Sequence, residues 1–334
     1  MTNKVTIIDI AKLANVSKST ISNFLNGRYG GMSETTRERI QTIIDELDYR
    51  PNRQARALKA KYSSIIGISV GDVSNSYTSR LIKGIMDRLK NTDYYTIIMD
   101  ADLNHQREQH NVNKLLDEQV DGIIIQPLRE SPDSYNIPDG FPVVQMDRYV
   151  TPNIWPAVVS DNISQSENLT NEIIEKGYER IIVVSPPIEA SSPRTKRYQG
   201  MLNALKASKT EVTILVSSEV KDIVADDQEV WNTIKELLKQ PVKTAVYAFN
   251  GGLLYGFLRF LKNEEIKVPE QVGVVGYDDG AWVELVSPGI TSIVQNPTEI
   301  GYKAADIIIK NIESKNSNND ISVIESKLNI RSSL

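Results

Sequence analysis

An all-α helix-turn-helix module followed by a two-lobe α/β chain is the architecture this sequence predicts, on three observations. Apolar residues recur at helical spacing through the first fifty residues, and from about residue 63 apolar strands alternate with amphipathic helices. Charge divides at the same boundary. Residues 1–62 hold eleven Lys and Arg against six Asp and Glu, a net of +5, whereas the 334-residue chain is −5, leaving −10 on the remainder. An acidic chain with one basic terminal module concentrates its attraction for polyanions in one place.

Within the module, Thr6 is placed to cap a first helix, with Asp9 three residues on in the reciprocal position. Ile7, Ile10, Ala11 and Ala14 give that helix one buried face. Asn15-Val16-Ser17 makes a tight turn, Ser17 caps the second helix, and Val16 can staple to Ile21. Ile21, Phe24 and Leu25 face inward, which leaves Lys18, Ser19, Ser22 and Asn23 outward near the start of the second helix. That end is the one a recognition helix inserts into the major groove. A purely structural bundle would not need polar residues concentrated there. A third helix is expected from a cap at Ser33 to about Leu47, and Arg28, Arg50, Arg53, Arg56 and Lys59 are the expected phosphate-neutralising charges.

The α/β part begins with the buried strand Ile65–Val70 and continues through strands near 94–99, 122–125, 142–146 and 157–160. A second run follows, with strands near 181–184, 212–216, 244–249 and 272–275 and helices between them. Such alternation predicts parallel sheets covered on both faces. Roughly 270 residues exceed one ordinary domain, so two lobes with a ligand cleft at the strand ends are expected.

The order Asp9-Ile-Ala-Lys-Leu-Ala-Asn-Val-Ser-Lys-Ser-Thr-Ile-Ser22, Leu25-Asn26-Gly27, Ser33-Glu-Thr-Thr-Arg-Glu-Arg39 and Leu47-Asp-Tyr-Arg-Pro-Asn-Arg-Gln-Ala-Arg56 resembles the LacI/GalR family of transcriptional regulators. The likeness continues through Val120–Ile124, Val159–Asn162, Gly200 and Val274–Asp279, nearly the whole chain. It implies a helix-turn-helix domain at 1–49, a hinge helix at 50–62, and a periplasmic-binding-protein-like effector and dimerisation domain of type I at 63–334. In that scheme lobe 1 is about 63–160 with 291–322, lobe 2 is about 161–290 with 323–334, and the chain crosses near Ser160, Ile290 and Ser322.

The same resemblance assigns base reading to Lys18, Ser19 and Asn23, within a DNA surface that includes Thr6, Ser17, Thr20, Ser22, Asn26 and Arg28. Asn23 stands where family members usually carry Arg, which implies an operator half-site unlike the common one, since Arg reads guanine and Asn adenine. Arg50, Asn52, Arg53, Ala55 and Leu58 fall in the implied hinge helix, with Leu58 as a minor-groove wedge. The loop Arg28-Tyr29-Gly30-Gly31-Met32 departs from the family pattern. Effector contacts are implied for Asn75, Tyr77, Thr78, Asp147, Arg197, Asn250 and Asp278, although loop Asn and Asp also cap helices and turns. Gly251 stands where the family typically has Asp. Losing a carboxylate beside Arg197 favours an acidic effector such as a sugar acid over a neutral sugar, a phosphorylated metabolite or a corepressor protein.

The expected partners are therefore a pseudo-palindromic double-stranded operator, a small sugar-like effector and a second copy of the chain. A dimer is expected because the family's tetramerising extension is missing after Leu334. Catalysis is not expected. The chain has no cysteine, its two histidines, His105 and His110, are spaced i, i+5, and no cofactor or metal motif occurs. An NAD-dependent oxidoreductase is disfavoured because Gly67-Ile-Ser-Val-Gly71 lacks a third glycine. An exported solute-binding protein is disfavoured because polar residues interrupt the N-terminal apolar stretch. No apolar run is long enough to span a membrane. The expected location is the bacterial cytoplasm, at the nucleoid.

Overall fold

The computed structural model describes residues 5–25, 27–49, 62–217, 227–314 and 318–334. The chain divides into two compact units, Met1–Ser63 and Ser64–Leu334. In the first, helices α1 (Ile7–Leu13), α2 (Lys18–Leu25) and α3 (Glu34–Glu46) enclose Ile10, Ala11, Ala14, Ile21 and Ile40. Asp9 accepts hydrogen bonds from the Thr6 amide at 2.9 Å and the Thr6 hydroxyl at 2.7 Å. The Ser17 and Ser33 hydroxyls accept from the Thr20 and Thr36 amides at 3.1 and 3.2 Å, so all three helix starts fall where the caps predict. Asn15 takes the left-handed turn conformation, at φ 49°. Val16 packs onto the same core as Ile21.

The second unit holds two six-stranded sheets. The first runs β11-β5-β4-β3-β1-β2, from β1 (Ile65–Val70), β2 (Tyr95–Asp100), β3 (Gly122–Ile125), β4 (Val143–Met146), β5 (Ala157–Ser160) and β11 (Ile321–Ile324), all pairs parallel. The second runs β12-β10-β9-β8-β6-β7, from β6 (Arg180–Ser185), β7 (Glu211–Val216), β8 (Thr244–Ala248), β9 (Gly273–Tyr277), β10 (Thr291–Val294) and β12 (Lys327–Asn329). The pair β10–β12 is antiparallel, which departs from the wholly parallel expectation at one edge. Helices α4 (Ser76–Leu89), α5 (His105–Asp117) and α10 (Pro297–Ser314) belong to the first lobe. Helices α6 (Asn162–Glu175), α7 (Ser192–Leu205), α8 (Gln228–Leu237) and α9 (Gly251–Asn263) belong to the second.

The crossings need correcting by a few residues. Strand β10 pairs in the second sheet, so the second crossing follows Val294 and not Ile290. Strand β11 pairs with β5 in the first sheet through Ile324, so the third follows it and not Ser322. Sheet membership of a four-residue apolar strand is decided by its neighbours, and neighbours are invisible in a local pattern.

One buried acid lies outside this apolar logic. Glu108 on α5 is 1% exposed and accepts the Leu128 amide at 2.8 Å. Burial pushes its carboxyl up to about 7, against the lowering effect of Leu128, Tyr135, Arg148 and Arg129. The folded state then holds the proton more tightly than the unfolded chain. This contribution is full below the unfolded value near 4.5 and is lost as pH rises through about 7, a difference of roughly 3 kcal/mol. Urea midpoints of wild type and Glu108→Gln compared from pH 5 to 8 should therefore diverge, the wild type declining more steeply. Parallel curves would show that Glu108 titrates as an ordinary surface acid.

Candidate functional site

In the helical module, Lys18, Ser19 and Asn23 are exposed along α2, and Ser22 is half-buried. The hydroxyl of Ser17 lies 2.6 Å from that of Ser19 and 2.8 Å from that of Thr20, a hydroxyl cluster at the helix start. Thr6 commits its hydroxyl to Asp9. Arg28 is exposed in the following loop. Asn26 and the hinge residues Arg50, Asn52, Arg53, Ala55 and Leu58 lie outside the described residues. The helix start thus presents one Lys, one amide and several hydroxyls, the donor and acceptor set that reads base edges and phosphates.

The unusual loop has a structural basis. Gly27 and Gly31 adopt φ of 68° and 79°, and the Met32 amide closes a turn on the Tyr29 carbonyl at 3.0 Å. Met32 joins the module core, and Tyr29 packs edge-to-face on Phe24 with centroids 5.8 Å apart.

Between the two lobes lies a cavity of about 310 Å³ at the carboxyl ends of the strands, and all seven residues implied as effector contacts line it. Arg197, on α7, is 6% exposed, and its Nε donates to Asn162 at 2.9 Å. Its Nη1 donates to the Phe249 carbonyl, and the guanidinium stands 3.5 Å over the Tyr277 ring. Burial works against the charge, but Tyr277, Asp278 and Asp147 outweigh it, and the pKa lies above the usual arginine value. The cation is held rigidly by one face and one edge.

Asp147 and Asp278 end strands β4 and β9 in left-handed backbone, at φ of 66° and 76°. Each is gripped by a glutamine. Gln126 Nε2 donates to Asp147 at 2.9 Å, and Gln295 Nε2 donates to Asp278. The Gln126 oxygen in turn accepts from the Gly71 amide at 3.1 Å. The Gln295 oxygen accepts from Ser160 at 2.6 Å and from Tyr77 at 3.3 Å, tying the cleft to both a crossover and α4. Burial holds the Tyr77 hydroxyl well above its ordinary pKa, so it is a neutral donor.

Asn75 and Asn250 face a divided role. Their side-chain oxygens cap α4 and α9, accepting from Tyr77 at 2.8 Å and Leu253 at 2.9 Å, which leaves the amide nitrogens for the cleft. Asp161 holds the crossover, accepting the Ser326 amide at 3.0 Å.

Sequence reasoning missed Gln126, Gln295 and Arg194, together with the aromatic pair Tyr255 and Trp282, whose rings meet edge-to-face at 5.3 Å on the cavity wall. Their only sequence signal is position just beyond a strand or within the first turns of a helix. Among the described residues no group of acidic and histidine side chains is arranged to hold a metal. No helix there is long and apolar enough to cross a membrane.

A helix-turn-helix unit joined to a two-lobe, cleft-bearing unit defines a DNA-binding regulator with a ligand-sensing domain. Residues 6–52 match the model of bacterial regulatory proteins, lacI family, and residues 170–334 match that of a periplasmic binding protein-like domain. The DNA-binding module is thus of the lacI type, and the chain is a helix-turn-helix transcriptional regulator.

It is 29% identical to the transcriptional regulator KdgR of Bacillus subtilis (strain 168), over 100% of this chain and 98% of that one. It is 27% identical to catabolite control protein A of Priestia megaterium, over 98% and 99%. Among solved structures it resembles the lac repressor dimer bound to operator and an anti-inducer, at a TM-score of 0.83, 21% identity and 99% coverage of each chain. It also resembles the regulator CelR in complex with cellobiose, at a TM-score of 0.70 and 25% identity, covering 98% of this chain and 99% of that one.

Proposed function

We propose that this regulator is a homodimeric repressor of carbohydrate-catabolic genes, acting at the nucleoid in the cytoplasm and released from a pseudo-palindromic operator by a sugar acid bound between its lobes. Lys18, Ser19 and Asn23 read the operator, supported by Thr6, Ser17, Thr20, Ser22, Asn26 and Arg28 and by the hinge residues Arg50, Asn52, Arg53, Ala55 and Leu58. The dimer and the operator follow the lac repressor complex, and sugar chemistry follows the cellobiose complex of CelR.

Gly251 is the observation that carries the effector class. A Cβ added there would lie 3.3 Å from the Cβ of Asp278, so an aspartate at this position would set a second carboxylate beside the first. With glycine, the cavity is lined by Arg80, Arg148, Arg194 and Arg197 against Asp72, Asp147 and Asp278. Both strand-end aspartates already accept from glutamine. The arginine excess suits a carboxylate, while Asp147, Asp278 and the aromatic pair suit the hydroxyls and ring of a sugar body.

Thermal melting against neutral sugars, sugar acids and sugar phosphates tests the reading. A ligand at 100 times its Kd adds about 2.7 kcal/mol, several degrees of shift for a domain of this size. Stabilisation by neutral sugars alone would defeat it. Gly251→Asp should weaken the acid at least tenfold, about 1.4 kcal/mol, and leave a neutral sugar unaffected.

A further inference from the structure

The loop between α2 and α3 holds an aromatic ring at the surface against the end of α2. Tyr29 is 44% exposed, although its ring is anchored on Phe24 at the end of that helix. The Arg37 guanidinium stands over the same ring, 5.3 Å from its centroid. Among the described residues Arg37 makes no ion pair, although Glu34 and Glu38 flank it on α3, and its Nε is buried with no hydrogen-bond partner. The cation therefore lies against an aromatic face, and among the described residues no carboxylate pairs with it. The same exposed tyrosine carries a hydroxyl that can donate a hydrogen bond.

We propose that Tyr29 and Arg37 form a clamp for one backbone phosphate beside the groove that α2 enters. Stacking fixes the guanidinium fork before DNA arrives, so less side-chain entropy is lost per hydrogen bond formed. The contact carries no base information and sets register and affinity. It rests on the DNA-reading role of the module, and its test separates the two.

Binding of the full chain to a fluorescent duplex of random sequence is measured by anisotropy across a salt series. Loss of one phosphate contact lowers the slope of log affinity against log salt by about 0.9. Arg37→Gln removes one such contact from each protomer of the proposed dimer, so the slope is expected to fall by about 1.8 and binding to weaken at least tenfold, with the melting temperature unchanged. Tyr29→Phe keeps the ring and its packing, so it should bind several-fold more weakly at an unaltered slope. Should Gln unsettle the module, Arg37→Lys keeps the charge and hence the slope, while the lost fork weakens binding. A wild-type slope in Arg37→Gln, or unaltered affinity in Arg37→Lys, overturns the clamp. A wild type insensitive to salt would instead overturn the electrostatic reading of the whole module.

Discussion

Replacing Arg197 with methionine is expected to abolish the response to effector, weakening the ligand by roughly 100-fold or more, about 3 kcal/mol. The size follows from what the guanidinium touches. It is buried, donates to Asn162 and to the Phe249 carbonyl, lies on Tyr277, and balances Asp147 and Asp278. Methionine fills the volume but removes the buried cation that offsets Asp278 and Asp147 at the centre of the cleft, a loss that also lowers stability. Arg197→Lys separates the two effects, because it restores charge without the flat fork. If lysine recovers stability but not binding, geometry at the ligand decides affinity. Calorimetric titration of Arg197→Met with the best ligand from the melting panel should show no heat. Wild-type affinity would mean that the arginine only braces the protein. A repressor lacking this arginine should also stay on DNA at effector concentrations that release the wild type, since linkage requires that lost binding energy be lost from the switch.

Much of this is legible in the sequence, for identifiable reasons. The helix-turn-helix is local: the caps at Ser17 and Ser33 and the staple of Val16 involve residues within five positions of one another. The strands of the α/β unit were legible as apolar runs because both faces of each sheet are covered. Which sheet β10 and β11 join was not, since that depends on partners such as β9 and β5 far away in sequence. In the cleft, Arg197, Asp147 and Asp278 were found by family resemblance and by their strand-end or helical positions. Gln126 and Gln295 were not, because a glutamine beyond a strand has no signature until the carboxylate it grips is seen. Asn75 and Asn250 show the converse difficulty. A single side chain caps a helix with its oxygen while lining the cleft, so a structural role and a binding role coincide. The loop at Tyr29 made sense only once Phe24 and Arg37 were seen on either side of its ring.

The second large effect lies where two helices touch through glycine. A Cβ on Gly301 of α10 would lie 2.0 Å from the Leu81 carbonyl oxygen of α4, and one on Gly84 of α4 would lie 1.9 Å from that of Thr298. Glycine inside a helix costs about 1 kcal/mol relative to alanine, so an ordinary helical glycine would gain from replacement. Here the obstacle is backbone, which cannot rotate away as a side chain does. Gly301→Ala must push α10 from α4, and the first turn of α4 carries Tyr77, bound to Gln295 two residues before α10 begins. Separation of the helices therefore reaches the cleft as well as the core. We expect Gly301→Ala to lose about 3 kcal/mol or more, roughly 10 °C in melting temperature, and to weaken effector binding in the protein that remains folded. Gly30→Ala is the control, because that glycine has open space around it and no left-handed φ; it should melt within about 2 °C of wild type. If Gly301→Ala also melts with the wild type, the two helices have room to part, and their close approach is not what sets the position of Tyr77.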